Sequence, residues 1–216
     1  MASFATDTAI VPTILTVPGL GGSGDSHWQT LWEQARADTV RAELGMWDAP
    51  HRNSWMTKLD QAIRTAQAPV VLVAHSLGCL AVAWWAALSG QPYGWPVAGA
   101  LLVAPADVDR HGAPPELAGF APAPTTPLPF PSLVVASSDD PWITLERARA
   151  LAGGWGSHFV GAGAVGHINA LSGIGDWREG QDLLAELIDG VGLAHTPSQG
   201  RALLAERLAR EPRIGA

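Results

Sequence analysis

The chain has 216 residues, 47% hydrophobic and 15% charged, enough apolar material for one domain with a substantial buried core. With 13 basic against 20 acidic residues its formal charge is −7, a field that repels nucleic acid and anionic membranes and argues against either as a partner. One cysteine, Cys79, excludes an internal disulfide; the leading MASFATDTAI lacks signal-peptide regions, and no apolar stretch approaches the roughly 18 residues of a membrane span. The expectation is a cytoplasmic protein without a transmembrane helix.

In chain order, TILTV (Thr13 to Val17) reads as a first buried strand and is followed by the glycine-rich loop PGLGGSG, Pro18 to Gly24. A helix is expected over Ser26 to Ala37, opened by a capping box of Ser26 with Gln29. Next come a strand over Val40 to Trp47, a helix over Asn53 to Gln67, and the unbroken apolar strand VVLVA, Val70 to Ala74. A small-residue helix, Leu77 to Leu88, follows the strand with no room for a loop, and Val97 to Ala104 gives a fourth strand. Arg110 to Pro131 is dense in Pro and Ala without a period, and reads as an ordered excursion over the surface, of a length that is often functional. Strand Ser132 to Ser137, helix Leu145 to Ala152 ending at Gly153 and Gly154, a fainter strand over Ser157 to Gly161 and a helix near Gly180 to Ile188 complete the alternation. Ser198 to Arg210 adds an amphipathic helix with Leu203, Leu204 and Leu208 on one stripe, a packing element or a homodimer contact. Alternating strands and helices imply an α/β fold, a mostly parallel sheet of about six strands with helices on both faces, in a single domain over residues 1–216.

The chemistry concentrates at AHSLG, Ala74 to Gly78. A strand, a tight turn and a helix meeting there form a nucleophile elbow, which lifts Ser76 above the carboxyl edge of the sheet. The alternative is a buried serine that only caps the helix. A serine nucleophile needs a base oriented by an acid, in the chain order Ser, acid, His. SSDDPWI after the fifth strand offers Asp139 and Asp140, and VGHINALSG after the sixth offers His167. Asp107, after the fourth strand, is a substitute acid whose ordinary reading is a turn residue. Pro141 restricts the backbone of Asp140 and favours it over Asp139, which is expected to bond turn amides. His75 is expected to point away from Ser76, and His27, His51, His111, His158 and His195 lack a suitable acid context. An oxyanion needs two donors: the Leu77 amide after the nucleophile and, from the first loop, the Leu20 amide.

The same loop supports a rival, because Gly19, Gly21 and Gly24 fit G-x-G-x-x-G, with Asp48 after the next strand. A dinucleotide-binding oxidoreductase is the reading this would give. Asp25 weakens it by putting negative charge where a pyrophosphate would lie, and also stands where a P-loop needs Lys. No Cys pair or paired-His helix spacing suggests a metal.

With these residues in place the chain resembles the RBBP9/YdeN family, a compact branch of the α/β-hydrolase superfamily. The resembling segments are PGLGGSGDSHWQTLWE, WDAP, AHSLG, PLPFPSLVVASSDDP, WG and GHINALSGIGDW, with Ala74 standing where the elbow usually has Gly. The resemblance implies Ser76 as nucleophile, Asp140 as acid and His167 as base, no cofactor, and hydrolysis of small carboxylic esters or amides. It also implies an alternative, a non-catalytic protein-interaction module on the same fold. His27, Trp28 and Trp142 are expected at the substrate pocket and Trp177 near it, whereas Trp84 and Trp85 fill gaps between helices and sheet.

Overall fold

A computed structural model describes residues 11–190 and 196–210. His195 and the amino-terminal segment discussed above lie outside the described residues. Six strands, β1 (Thr13–Val17), β2 (Thr39–Arg41), β3 (Val70–His75), β4 (Val97–Val103), β5 (Ser132–Ala136) and β6 (His158–Gly161), form one sheet in the order β2-β1-β3-β4-β5-β6. Every pairing is parallel, so the mostly parallel expectation resolves to a wholly parallel sheet. Helices α1 (Trp28–Ala35), α2 (Arg52–Thr65), α3 (Leu77–Ser89), α4 (Leu145–Trp155), α5 (Arg178–Gly190) and α6 (Pro197–Arg210) cover it.

Burial on both faces explains the unbroken apolar strands, since β3, β4 and β5 are buried at every residue. One core layer joins the sheet to α2, α3 and α4 through Trp55, Leu59, Leu80, Leu151 and Trp155. The other joins it to α1, α5 and α6 through Trp28, Trp32, Leu184, Leu187, Leu204 and Leu208. Leu204 and Leu208 thus make α6 a packing element, and Arg207 ties it to Glu186 and Asp189 of α5.

Three expectations are corrected. The second strand stops at Arg41 rather than running to Trp47, because Gly45 and Met46 take positive φ and turn the chain so that Trp47 packs edge-on against Trp55. Helix α4 passes through Gly153 and Gly154 and ends at Gly156, a left-handed cap. The extra turn buries Trp155, whose indole donates to the Pro124 carbonyl, and Gly154 lets the Thr125 backbone approach. The start of α1 is capped by His27 rather than Ser26: the Gln29 amide donates to His27 Nδ1 at 3.2 Å. Gln29 cannot close a capping box because its side chain is committed elsewhere, accepting from Ser23 Oγ at 2.6 Å and donating to Val73 O at 2.9 Å. The excursion between Arg110 and Pro131 is ordered and contains a short 3-10 helix, Pro115–Phe120, that tucks Leu117 and Phe120 into the core.

Candidate active site

The strand order reverses between β1 and β3, and open α/β sheets form their crevice beyond the carboxyl ends of strands at such a point. There the loop after β1 faces the elbow after β3. A Cβ on Gly19 would stand 2.8 Å from Ser76 Cβ and 3.1 Å from Leu77 N. A Cβ on Gly78 would run into Val17 O and lie 2.7 Å from Pro18 O. Both glycines permit the close approach of loop, strand and helix that the turn requires. Ser76 itself has φ 53 and ψ −123, outside the regions an L-residue prefers. It sits at the N-cap position of α3 without capping it by its side chain.

The hydroxyl is instead engaged by His167: Ser76 Oγ lies 2.9 Å from His167 Nε2. The other ring nitrogen, Nδ1, lies 3.0 and 2.9 Å from the two carboxylate oxygens of Asp140. A carboxylate only accepts, so Nδ1 carries the proton and the Nε2 lone pair is left to accept from Ser76. The Asp140 side chain is wholly buried and that of His167 one-tenth exposed. A further hydrogen bond, from the Trp142 amide to Asp140 Oδ1 at 2.8 Å, fixes the carboxylate.

The rival acids are otherwise engaged. Asp139 Oδ1 accepts from Ser137 Oγ at 2.6 Å and from the Gly166 amide at 2.7 Å, and these bonds hold its carboxyl below the ordinary range. Asp107 pairs with Arg147 at 3.2 Å. Cys79 is buried with its sulfur facing the carbonyls of Ala74 and Val103, and burial pushes its thiol pKa up, so it is no nucleophile.

A cavity of about 200 Å³ opens over Ser76, walled in part by Leu20, His27, Arg110, Leu117, Trp142 and His167. The Leu20 and Leu77 amides donate to no protein acceptor among the described residues. Of the expected pocket residues, His27 and Trp142 line the cavity, and Trp28 does not. Trp28 is fully buried against Trp32 and Trp177, and its indole donates to the Ile168 carbonyl at 2.8 Å. Trp177 belongs to the same buried cluster. Trp84 and Trp85 fill gaps as expected, donating to Phe120 O and Asp60 Oδ1.

His75 departs from expectation. The positive φ at Ser76 breaks the alternation of the strand, so His75 lines the same cavity as its neighbour. Its Nε2–H donates to the His167 carbonyl at 2.9 Å, with ring centroids 4.9 Å apart. Burial holds the His75 pKa well below its usual value, helped by the nearby His167 and His27. Adjacency in sequence hid this residue, and so did the absence of any local signal for a bond spanning 92 positions. Arg110 was missed within a loop read only as an excursion; its guanidinium donates to Pro141 O at 2.7 Å and lies 5.0 Å from the Trp142 ring.

The glycine loop does not fit the dinucleotide reading. Gly24 has open space where the third glycine of that fingerprint would allow tight packing, and three residues separate it from α1, whose first turn is capped by His27. No helix among the described residues is long and apolar enough to cross a membrane.

Comparisons with known proteins identify the family and the fold. A family model described as serine hydrolase matches residues 14–186. A YdeN-like hydrolase from Pectobacterium atrosepticum SCRI1043 is 34% identical, with a TM-score of 0.72 over 82% of this chain and 90% of that one. The ydeN gene product of B. subtilis is 19% identical, with a TM-score of 0.66 over 81% and 97%. Est1E from Butyrivibrio proteoclasticus, at 13% identity and TM-score 0.58 over 94% and 91%, shares the fold. No curated protein sequence matches the chain. The wholly parallel sheet, the elbow and these matches together make the chain a member of the serine hydrolase family, with the α/β-hydrolase fold and a YdeN-like structure.

Proposed function

We propose that the protein hydrolyses small carboxylic esters through an acyl-enzyme intermediate on Ser76. The observation that carries this reading is the hydrogen-bonded series from Asp140 through His167 to Ser76, with the hydroxyl at 2.9 Å from the base. Ser76 Oγ attacks the ester carbonyl carbon as its proton passes to His167 Nε2. Asp140 holds the ring in the required tautomer and stabilises the imidazolium. The carbonyl oxygen becomes an oxyanion and accepts from the Leu20 and Leu77 amides. Collapse breaks the bond to the alcohol oxygen, which takes the proton from Nε2; water, deprotonated by the same nitrogen, then releases the acid and restores Ser76.

The substrate is small. A volume of about 200 Å³ lies below the usual range for drug-sized ligands, and Leu117 and Trp142 give the walls apolar surface for a short chain. A fluorophosphonate probe tests the reading: it is expected to label Ser76 and to fail with Ser76→Ala. Undiminished labelling of that variant, or absence of labelling in the folded native protein, would overturn it. The same experiment separates an enzyme from an interaction module, which needs no activated serine.

A further inference from the structure

One polar atom of a residue lining the cavity is left over. His27 is 5% exposed, and its Nε2 is buried without a hydrogen-bond partner among the described residues. The proton inventory of the ring follows from its other end. Nδ1 accepts from the Gln29 amide at 3.2 Å, so it is unprotonated and Nε2 carries the hydrogen. The ring is also kept neutral: burial, with the Arg41 charge and the neighbouring His167 ring adding to it, lowers the His27 pKa to about 4. Nε2 is therefore a donor of fixed orientation, turned away from the helix that Nδ1 caps and held by T-shaped packing on His75 at 4.8 Å. A buried donor without an acceptor is costly, and such groups mark sites where the acceptor comes from outside the protein.

The surroundings indicate the acceptor's charge. No aspartate or glutamate is among the residues lining this cavity, and its one cation is Arg110. Among the described residues the Arg110 guanidinium meets the Pro141 carbonyl and the Trp142 ring, and no carboxylate. We propose that His27 Nε2–H anchors the substrate and that the preferred ester carries a carboxylate on its non-reacting part, received by His27 and Arg110. The inference rests on the ester-hydrolase reading above and adds a substrate class to it. The oxyanion is left to the backbone amides, so His27 acts on selectivity rather than on the acyl-transfer chemistry common to all esters.

The test compares matched esters that differ by a terminal carboxylate. Methyl butyrate and monomethyl succinate place it in the acyl part; ethyl acetate and O-acetylglycolate place it in the alcohol part. The native enzyme is expected to prefer the carboxylate-bearing member of at least one pair by about tenfold or more in kcat/KM, as a charge-assisted hydrogen bond warrants. His27→Asn keeps a side-chain acceptor for the Gln29 amide while deleting the Nε2 donor. It is expected to reduce that preference by about tenfold or more, and Arg110→Met to reduce it as well. Protection of Ser76 from the fluorophosphonate by the same esters gives a second readout that does not require turnover. The inference is overturned if the native enzyme discriminates neither pair in either readout, or if His27→Asn weakens both members of a pair equally. Labelling of Ser76 without discrimination leaves the hydrolase reading standing and removes only this one; failure of labelling removes the hydrolase reading itself.

Discussion

The nucleophile and the base are held in opposite ways. Ser76 is fixed by backbone against backbone: its amide donates to Val103 O at 2.9 Å, its carbonyl accepts from Cys79 at 3.0 Å, and Gly19 and Gly78 let neighbouring chain press against it. The four residues ending the loop around the base are fixed by side chains from elsewhere. The Val165 amide donates to Ser137 Oγ at 2.9 Å and the Gly166 amide to Asp139 at 2.7 Å. The His167 carbonyl accepts from His75 at 2.9 Å, and the Ile168 carbonyl from Trp28 at 2.8 Å. Ile168 has φ 47, costly for a β-branched residue, and these bonds hold it there. One half of the site is thus local and intolerant of added atoms; the other is distributed and depends on hydrogen bonds that can be removed one at a time.

The largest expected effect lies on the distributed side. Asp140→Asn presents an amide to His167 Nδ1 and stabilises the wrong tautomer, so ester kcat is expected to fall by about 10² to 10⁴. Asp139→Asn, which loses only loop contacts, is expected to cost less than about tenfold. Circular dichroism on both variants confirms folding; if Asp139→Asn is the crippled one, the acid assignment is wrong.

On the local side, Gly78→Ala forces a methyl into the Val17 and Pro18 carbonyls and must displace the elbow. A loss of about 10² in kcat and about 3 kcal/mol in stability is expected. Gly24→Ala, with open space around its Cβ, is the control, and its activity and melting temperature are expected to match the native protein. Equal behaviour of the two alanines would remove the claim that close approach at Gly78 sets the nucleophile.

This contrast also explains what could be read from the sequence. The elbow, its serine and the flanking small residues are contiguous, and a local steric requirement leaves a local pattern. Asp140 was readable for the same reason, through Pro141. The supports of His167 were not, because Trp28 reaches Ile168 across 140 positions and nothing near either residue announces the bond. Trp28 therefore looked like a pocket wall when it is a buried strut. The capping of α1 failed in the same manner: Ser26 and Gln29 have the right spacing, but Gln29 is drawn to Val73, and an imidazole takes the serine's place. Gly153 and Gly154 look like a helix stop, yet burial of Trp155 outweighs their low helix propensity. In each case a tertiary contact overrode a sound local preference.

The imidazoles supply a pH test. His27 and His75 are neutral when folded, with the His27 pKa lowered to about 4 and that of His75 well below its usual value, both mainly by burial. In the unfolded chain both take up protons near pH 6.5, so between about pH 4 and 6.5 the unfolded state binds more protons. Stability is then fully present above about pH 6.5 and lost as pH falls towards 4, by about 3 kcal/mol for His27 alone. Urea unfolding at pH 7 and pH 4.5 is expected to show that loss, and a smaller one in His27→Asn. An unchanged slope in the variant would mean that His27 is not held neutral.

A smaller expected effect than that of Asp140→Asn or Gly78→Ala isolates a single strut. Trp28→Phe keeps an aromatic ring in the core while deleting the indole N–H, so the Ile168 carbonyl loses its donor inside the protein. An unsatisfied buried carbonyl costs about 1–3 kcal/mol, and Ile168 can recover part of it by relaxing from positive φ. That relaxation would move His167, one residue earlier, away from Ser76. The expected result is a drop of about tenfold in ester kcat, with KM little changed because Trp28 does not line the cavity. Leu187→Ala, in the same core layer but with no bond to this loop, provides the comparison. It is expected to lower the melting temperature by as much or more, through a cavity cost of about 2–5 kcal/mol, while leaving kcat nearly intact in the folded fraction. If the two variants lose stability and kcat in the same proportion, Trp28 is an ordinary core residue, and the idea that side-chain struts hold the base in place loses its best-defined member.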